Sequence, residues 1–344
     1  MRPFSFSLLV LPLLAGGFAY RDALPGYRYQ FPRDHFQHED FRTEWWYYTG
    51  NVTDAQGKRF GFELVFFRQG VHDAERHDTE NTSSWTVRNL YLAHAALTDA
   101  NGKHFWYEER LNRAGPGIAG ASFDRQRIWN GNWSAQWNGE NQTLDAVTDH
   151  FRFHLDLHPS KPLVIEGENG VSQKAEGRGR ASHYISFPRL EVLGTVESSQ
   201  VKGTAWMDHE WFTEQLSGDQ VGWDWFSVQL DNQTELMLFE LRRKDSSIDP
   251  YSSGTFIDAQ GVAHHLRSED FKLRPLARWH SYPVEWSVKI PSLNIDITAK
   301  AVLPDQELRG STNYWEGAVD YSGTHKGAGY LEMTGYDRPV RLDR

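Results

Sequence analysis

Gly203-Thr-Ala-Trp-Met-Asp-His-Glu-Trp-Phe212, followed eleven residues on by Trp223-Asp-Trp225, gathers four tryptophans, one histidine and three acids into one short region. A two-residue period puts Met207, His209 and Trp211 on one face of a strand and Asp208 and Glu210 on the other. The strand thus sets a titratable imidazole beside an indole, a pairing suited to managing protons and cationic carbon.

The same reading extends outward. Short aromatic or β-branched segments alternate at Trp45–Val52, Phe60–Arg68, Tyr91–Thr98, Phe151–Leu157, Gly194–Glu197, Gly222–Leu230, Glu235–Arg242, Val284–Ile290 and Leu293–Val302. Three connections, Thr53-Asp-Ala-Gln-Gly-Lys58, Thr98-Asp-Ala-Asn-Gly-Lys103 and Ile257-Asp-Ala-Gln-Gly-Val262, carry Asp early and Gly late, as hairpin loops require. No long 3.6-residue period competes, and Glu214–Gly218 reads as a helical turn or loop. The prediction is an all-β chain of two antiparallel barrel- or sandwich-like domains packed together, 20–195 and 196–344, joined around Arg189–Lys202. The Gly/Arg-rich Gly167–Gly179 stretch reads as a surface loop.

Composition narrows the function. The aromatic share of 14% across 344 residues favours strands over Leu- or Ala-built helices. A formal charge of -10 and the lack of a basic run exclude a nucleic-acid surface. The absence of cysteine removes disulfides, thiolate metal sites and a cysteine nucleophile. Arg2, the apolar Ser7–Ala15 and Gly17-Phe18-Ala19 form a signal-peptide pattern over 1–19, which implies export to the periplasm or beyond. The apolar run is too short to span a bilayer, so no stable membrane span is expected after its removal.

Glu44-Trp-Trp-Tyr-Tyr-Thr-Gly50 places Glu44, Trp46 and Tyr48 on one side and Trp45 and Tyr47 on the other. One side must be core; Trp46 and Tyr48 are candidates for a ligand wall, with plain barrel packing as the alternative. His94 reads as a satisfied core histidine. Asp208, His209 and Glu210 are costly to bury without a purpose, the alternative being a solvated strand end. Asp224 could pair with Arg242. Glu240 alternates with Leu236 and Leu238, and Tyr314, Glu316 and Glu332 are further wall groups. No nucleophile elbow, phosphate loop, dinucleotide fingerprint or His-Glu-x-x-His motif occurs. Adjacent His264 and His265 point apart on a strand, and no metal is expected.

Glu44–Gly50, Ala93-His94, Gly203–Trp211, Gly222-Trp-Asp-Trp-Phe226, Leu236-Met237, Tyr282-Pro-Val-Glu-Trp286, Tyr314-Trp-Glu-Gly317 and Gly329–Tyr336 occur as an ordered set. Over nearly the whole mature chain this set resembles the lipocalin-like family of AttH proteins, carotenoid 1,2-hydratase and kievitone hydratase. The resemblance implies two calycin-like domains, a pocket near their junction, no organic cofactor and hydration of an alkene in a hydrophobic substrate. In the carotenoid branch a His and a Trp of an Asp-His-x-Trp segment work with a following Tyr-x-Asp. His209 and Trp211 match the first part, while Leu238-Phe239-Glu240 stands in place of the second. That replacement, together with the signal peptide, points away from a carotenoid and toward the exported AttH-type subgroup.

The expected chemistry is acid catalysis in an aromatic pocket, with Glu240 as the acid, Asp208 in reserve and His209 positioning or deprotonating water. Trp211, Trp223 and Trp225 would stabilise a carbocation, and Trp46, Tyr48 and Tyr314 would complete the wall around a hydrophobic small molecule. The rivals are a non-catalytic lipid or isoprenoid carrier and a hydrolase in which His209 and the acids activate water.

Overall fold

Alternating aromatic and aliphatic residues between Asp/Gly turns produce strands joined by hairpins, and the three look-alike turns all do this. Asp54 Oδ1 accepts from the Gln56 and Lys58 amides, and Asp258 Oδ1 accepts from those of Gln260 and Val262. Gly57 and Gly261 take φ of 83° and 84°, a backbone region costly for residues with a Cβ. The structure is a computed structural model that describes residues 20–71 and 87–340. The signal-peptide pattern of 1–19 lies outside the described residues.

The first sheet holds β1 (Thr43–Asp54), β2 (Arg59–Gly70), β3 (Asn89–Asp99), β4 (His104–Arg113), β5 (Ala119–Ser122), β6 (Arg127–Asn130), β7 (Trp133–Asn138), β8 (Asn141–Val147), β9 (Arg152–Pro159), β10 (Val164–Ile165), β11 (Ser172–Gln173), β12 (Ala181–Val196) and β13 (Ser199–Phe212). Its order is β4-β3-β2-β1-β13-β12-β9-β8-β7-β6-β5, with β10 and β11 on β12. The second sheet holds β14 (Gln220–Leu230), β15 (Glu235–Arg243), β16 (Ser253–Ile257), β17 (Ala263–Arg267), β18 (Lys272–Trp279), β19 (Tyr282–Ile290), β20 (Ile295–Ala301), β21 (Glu307–Arg309), β22 (Asn313–Gly323) and β23 (Gly327–Met333). Its order is β17-β16-β15-β14-β23-β22-β20-β19-β18, with β21 on β22. Among the described residues the helical structure consists of 3₁₀ turns such as Arg33–His35, and no helix is long and apolar enough to cross a membrane.

The first sheet curls into a barrel whose ends meet through Asn130. Its amide donates to the carbonyls of Tyr91 and Arg110 at 3.0 and 3.1 Å and its carbonyl accepts from Asn112 at 2.6 Å. Trp46, Tyr48, Phe62, Leu64, Phe66 and Trp133 fill the interior. Full burial of Phe or Leu stabilises by roughly 1.5–3 kcal/mol each. The second sheet forms a half-barrel around Phe226, Leu238, Trp286, Val288 and Leu331. The architecture is thus the all-β, two-unit one read from the sequence.

The sheets change at a different point from the expected 195/196 boundary. Val196 pairs with Ser199 at the turn of the β12–β13 hairpin, so both strands belong to the first sheet and the change comes between Phe212 and Gln220. Glu235 of β15 reaches across, accepting from Lys161 Nζ at 2.6 Å and Arg189 Nε at 2.5 Å. The union buries both faces of β13, where every residue from Ala205 to Phe212 is buried.

Candidate active site between the sheets

Strand alternation decides which groups meet. On β13, Met207 packs in the first barrel with His209 and Trp211 turned to the same side, while Asp208 and Glu210 turn toward the second sheet. Trp223 and Trp225 of β14, Phe239 of β15 and Glu332 of β23 face them. Trp45 and Tyr47 of β1, Tyr184 of β12 and Lys174 complete the wall of a narrow cavity of about 50 Å³. A broader cleft of about 680 Å³ shares Trp45, Tyr47, Trp223 and Glu332 with it and extends past Phe67 and Leu92 to His94 and Tyr314. The broad cleft has the size of a small-molecule site, and the narrow one has room for a few waters.

Asp208 is the centre of the narrow cavity. Its Oδ2 accepts from the Tyr184 hydroxyl at 2.5 Å, and its Oδ1 accepts from the Ser186 hydroxyl at 2.5 Å and Trp206 Nε1 at 2.6 Å. Trp225 Nε1 donates to the Tyr184 oxygen at 3.1 Å, which ties the second sheet into the cluster. Burial outweighs these donors and, with the Glu166 carboxyl nearby, pushes Asp208 up to about 7. Lys174 Nζ lies 3.4 Å from Glu210 Oε1 and 3.8 Å from the Phe239 ring centroid. Burial lowers the pKa of this ammonium, against the pull of Glu210, Glu166 and Asp208.

Glu332 stands where the two cavities join. It accepts from Trp223 Nε1 at 3.0 Å and the Tyr47 hydroxyl at 3.3 Å, while the Trp45 and Trp223 rings stack at 5.9 Å. Burial raises its pKa despite those donors. Two proton-holding carboxyls, Asp208 and Glu332, therefore share one aromatic chamber.

His209 is elsewhere. Its Nε2 meets Glu44 Oε1 at 2.8 Å, His38 Nδ1 meets the same oxygen at 2.7 Å, and Arg68 Nε donates to Glu44 Oε2 at 2.9 Å. The His209 ring stacks on Trp46 at 4.8 Å, and His38 stacks on Trp211 at 4.0 Å. Burial lowers the His209 pKa; Glu44, although buried, is held far below the usual carboxylate range by His38, His209 and Arg68. His38, Glu44 and His209 offer ligand atoms within 4.8 Å of one another, a set that could hold a metal ion. Arg68 already supplies the cationic charge that such an ion would bring.

The expected site residues thus divide among compartments. Asp208, Trp223 and Trp225 line the narrow cavity, and Tyr314 lines the broad one. Trp46, Tyr48 and Trp211, expected in the ligand wall, are fully buried away from both cavities: Trp46 and Tyr48 in the interior of the first barrel, and Trp211 in a cluster with Phe41, Ala181 and Ile185. Glu240 lies on the opposite face of the second sheet from Phe239, in a cavity of about 690 Å³ within the half-barrel, beside Asp224. Burial and the Asp224 charge push it up to about 8, and Asp224 pairs with Arg242 at 3.0 Å as expected. Because successive side chains alternate across a strand, Glu240 cannot join Asp208 in one chamber.

Trp45, Tyr47, Tyr184 and Lys174 are among the wall groups absent from the sequence expectation. Trp45 and Tyr47 carried a signal, since alternation set them opposite Trp46 and Tyr48 and only the choice of face was open. Tyr184 belongs to an alternating segment, Ala181-Ser-His-Tyr-Ile-Ser-Phe187, that reads as a strand. Lys174 gave no signal: it follows a two-residue strand in the stretch read as surface loop, yet it is buried.

A family model described as AttH-like matches residues 22–336. The crystal structure of an AttH protein from Nitrosomonas europaea superposes with a TM-score of 0.81 at 32% identity, covering 92% of this chain and 99% of that one. Kievitone hydratase from Nectria haematococca shares the fold, with a TM-score of 0.65 at 14% identity over 93% of this chain and 99% of that one. The dehydratase asqC of Emericella nidulans is 22% identical over 305 residues, 80% of this chain and 79% of that protein. By the extent of the family match and the likeness to the Nitrosomonas protein, the chain belongs to the AttH-like family.

Proposed function

We propose that the protein is a hydro-lyase that adds or removes water at a carbon–carbon double bond of a hydrophobic small molecule held between the sheets. The observation that carries this reading is Asp208, a buried carboxyl pushed up to about 7 in an aromatic chamber that it shares with Glu332. The substrate body occupies the broad cleft, and the reacting water occupies the narrow cavity. In hydration Glu332 gives its proton to the alkene, water adds to the resulting cation, and Asp208 takes a proton from that water. Dehydration is the reverse: Asp208 protonates the leaving hydroxyl, the C–O bond breaks, and Glu332 takes the proton from the neighbouring carbon. Each carboxyl must hold or release a proton near neutral pH, which burial makes possible. Ring faces of Trp45, Trp223 and Trp225 would stabilise the cation by about 0.5–2 kcal/mol each, so proton placement supplies the larger share. The similarity to a dehydratase supports this direction of chemistry. The signal-peptide pattern of 1–19 fits a protein that works in the periplasm or outside the cell.

Native mass spectrometry of gently purified protein identifies the molecule that travels with it, and incubation in ¹⁸O-labelled water then reads the reaction. Label should enter the intact molecule with the wild type and at least about 100-fold more slowly with Asp208→Asn. A bound molecule that never takes up label would make the protein a carrier, and cleavage into two fragments with label in one of them would make it a hydrolase.

A further inference from the structure

Behind Glu332 lies a line of polar groups that the proposed chemistry leaves unexplained. Glu316 sits directly opposite Glu332 in the β22–β23 register. Its carboxyl faces that of Glu63 on β2, in the first sheet; burial and then the Glu63 charge raise its pKa. The Tyr314 hydroxyl lies 3.1 Å from Glu63 Oε1 and 2.6 Å from His94 Nδ1. His94 Nε2 lies 3.0 Å from Glu109 Oε2, and the Glu109 side chain, 24% exposed, reaches solvent beside Ser311.

Every member of this line except Glu109 is buried. Glu63 Oε2 and both oxygens of Glu316 are buried with no hydrogen-bond donor on them among the described residues. Facing carboxyls in that setting share a proton, because two like charges cannot both be desolvated at such close range. Tyrosine and histidine each accept a proton on one side while giving one on the other, and His94 has both ring nitrogens engaged. An inert interface would be built more simply from apolar side chains, since buried polar groups carry a desolvation cost.

We propose that Glu316, Glu63, Tyr314, His94 and Glu109 form a proton path that reloads Glu332 from solvent. The inference rests on Glu332 as a proton donor in the reaction above. Each hydration leaves Glu332 ionised and Asp208 protonated. A proton then enters at Glu109, passes His94 and Tyr314 to the Glu63–Glu316 pair and reaches Glu332, while Asp208 releases its own to water in the narrow cavity; no proton is gained or lost overall. The groups of the path act through Glu332; because Tyr314 and His94 also line the broad cleft, the path is tested in the absence of substrate.

Infrared difference spectroscopy tests this without a substrate. Protonated carboxyls absorb apart from carboxylates, and their bands shift when the proton is replaced by deuterium. At neutral pH the wild type should show such a band that Glu316→Gln removes. After transfer to D₂O, Tyr314→Phe should slow the band's shift at least tenfold while its intensity and the circular dichroism stay unchanged. His94→Gln, which keeps hydrogen bonds but cannot relay a proton, should slow it likewise and serves if Tyr314→Phe does not fold. Absence of the band, or exchange at the wild-type rate in the folded variants, would overturn the path. Failure of the hydro-lyase reading would appear instead as unlabelled ligand in ¹⁸O-water, with the exchange result intact.

Discussion

The Tyr47 hydroxyl of the first sheet donates to the Glu332 carboxyl of the second at 3.3 Å. This bond crosses the junction between the narrow cavity and the broad cleft, so it holds the proposed proton donor where both substrate and water can reach it. Tyr47→Phe removes one donor to the ionised carboxyl, worth about 1.5–3 kcal/mol, and should lower kcat roughly ten- to hundredfold with the thermal midpoint little changed. Glu332→Gln should lower it at least about 100-fold. Label uptake from ¹⁸O-water by the bound molecule measures both.

Asp208 and Glu240 separate by role despite both being raised carboxyls. Glu240 faces the half-barrel interior on the far side of the second sheet, so Glu240→Gln should leave turnover within about twofold of wild type. The same variant should resist denaturation better above about pH 8, because it no longer has to ionise a buried acid. A large loss of turnover with Glu240→Gln would move the chemistry to the half-barrel.

Glu44 holds the first barrel together from inside. Arg68 is fully buried against it, and Glu44→Ala would leave that guanidinium without its carboxylate. Breaking a buried pair in this way costs about 3–5 kcal/mol, which urea denaturation of the variant would detect. A loss below about 1 kcal/mol would show that Arg68 finds other acceptors.

Stability should fall as pH rises from about 6.5 to 8. Asp208, at about 7, and Glu240, at about 8, have folded values above the unfolded carboxyl value near 4; Glu63, Glu316 and Glu332 are shifted in the same direction by burial. Their contribution is complete below about pH 4 and is lost as pH rises through the folded values, at up to about 1.4 kcal/mol per pH unit for each proton. His38, raised against burial by Glu44 and Asp34, acts with the same sign. His35 and His183, lowered by burial to about 3 and 4, act oppositely, but their loss comes as pH falls below about 6.5. Urea midpoints at about pH 6.5 and 8 measure the slope, and Asp208→Asn should flatten it.

Strand alternation made half of this site legible. The sequence period correctly separated Asp208 and Glu210 from Met207, His209 and Trp211, and Trp45 and Tyr47 from Trp46 and Tyr48. It did not say which side of either strand meets the cleft, because β13 is buried on both faces and hydrophobicity no longer distinguishes them. Ionisable residues did not decide it, since Glu44 and His209 neutralise each other's cost inside the barrel. Short strands such as Arg127–Asn130, of four residues, passed unread because so few positions carry no clear period. The meeting of Glu63 with Glu316 depends on how two sheets pack, a relation between positions 253 residues apart that no local pattern encodes.

The state of Asp208 can be read directly. In protein labelled with ¹³C at the aspartate carboxyl carbons, the resonance missing from Asp208→Asn belongs to this residue, and its shift can be followed with pH. A midpoint near 7 is expected, with the side chain neutral in much of the population at neutral pH and able to give a proton to a leaving hydroxyl. A midpoint near 4, the ordinary value for aspartate, would leave the chamber without that acid and the proposed chemistry without its foundation.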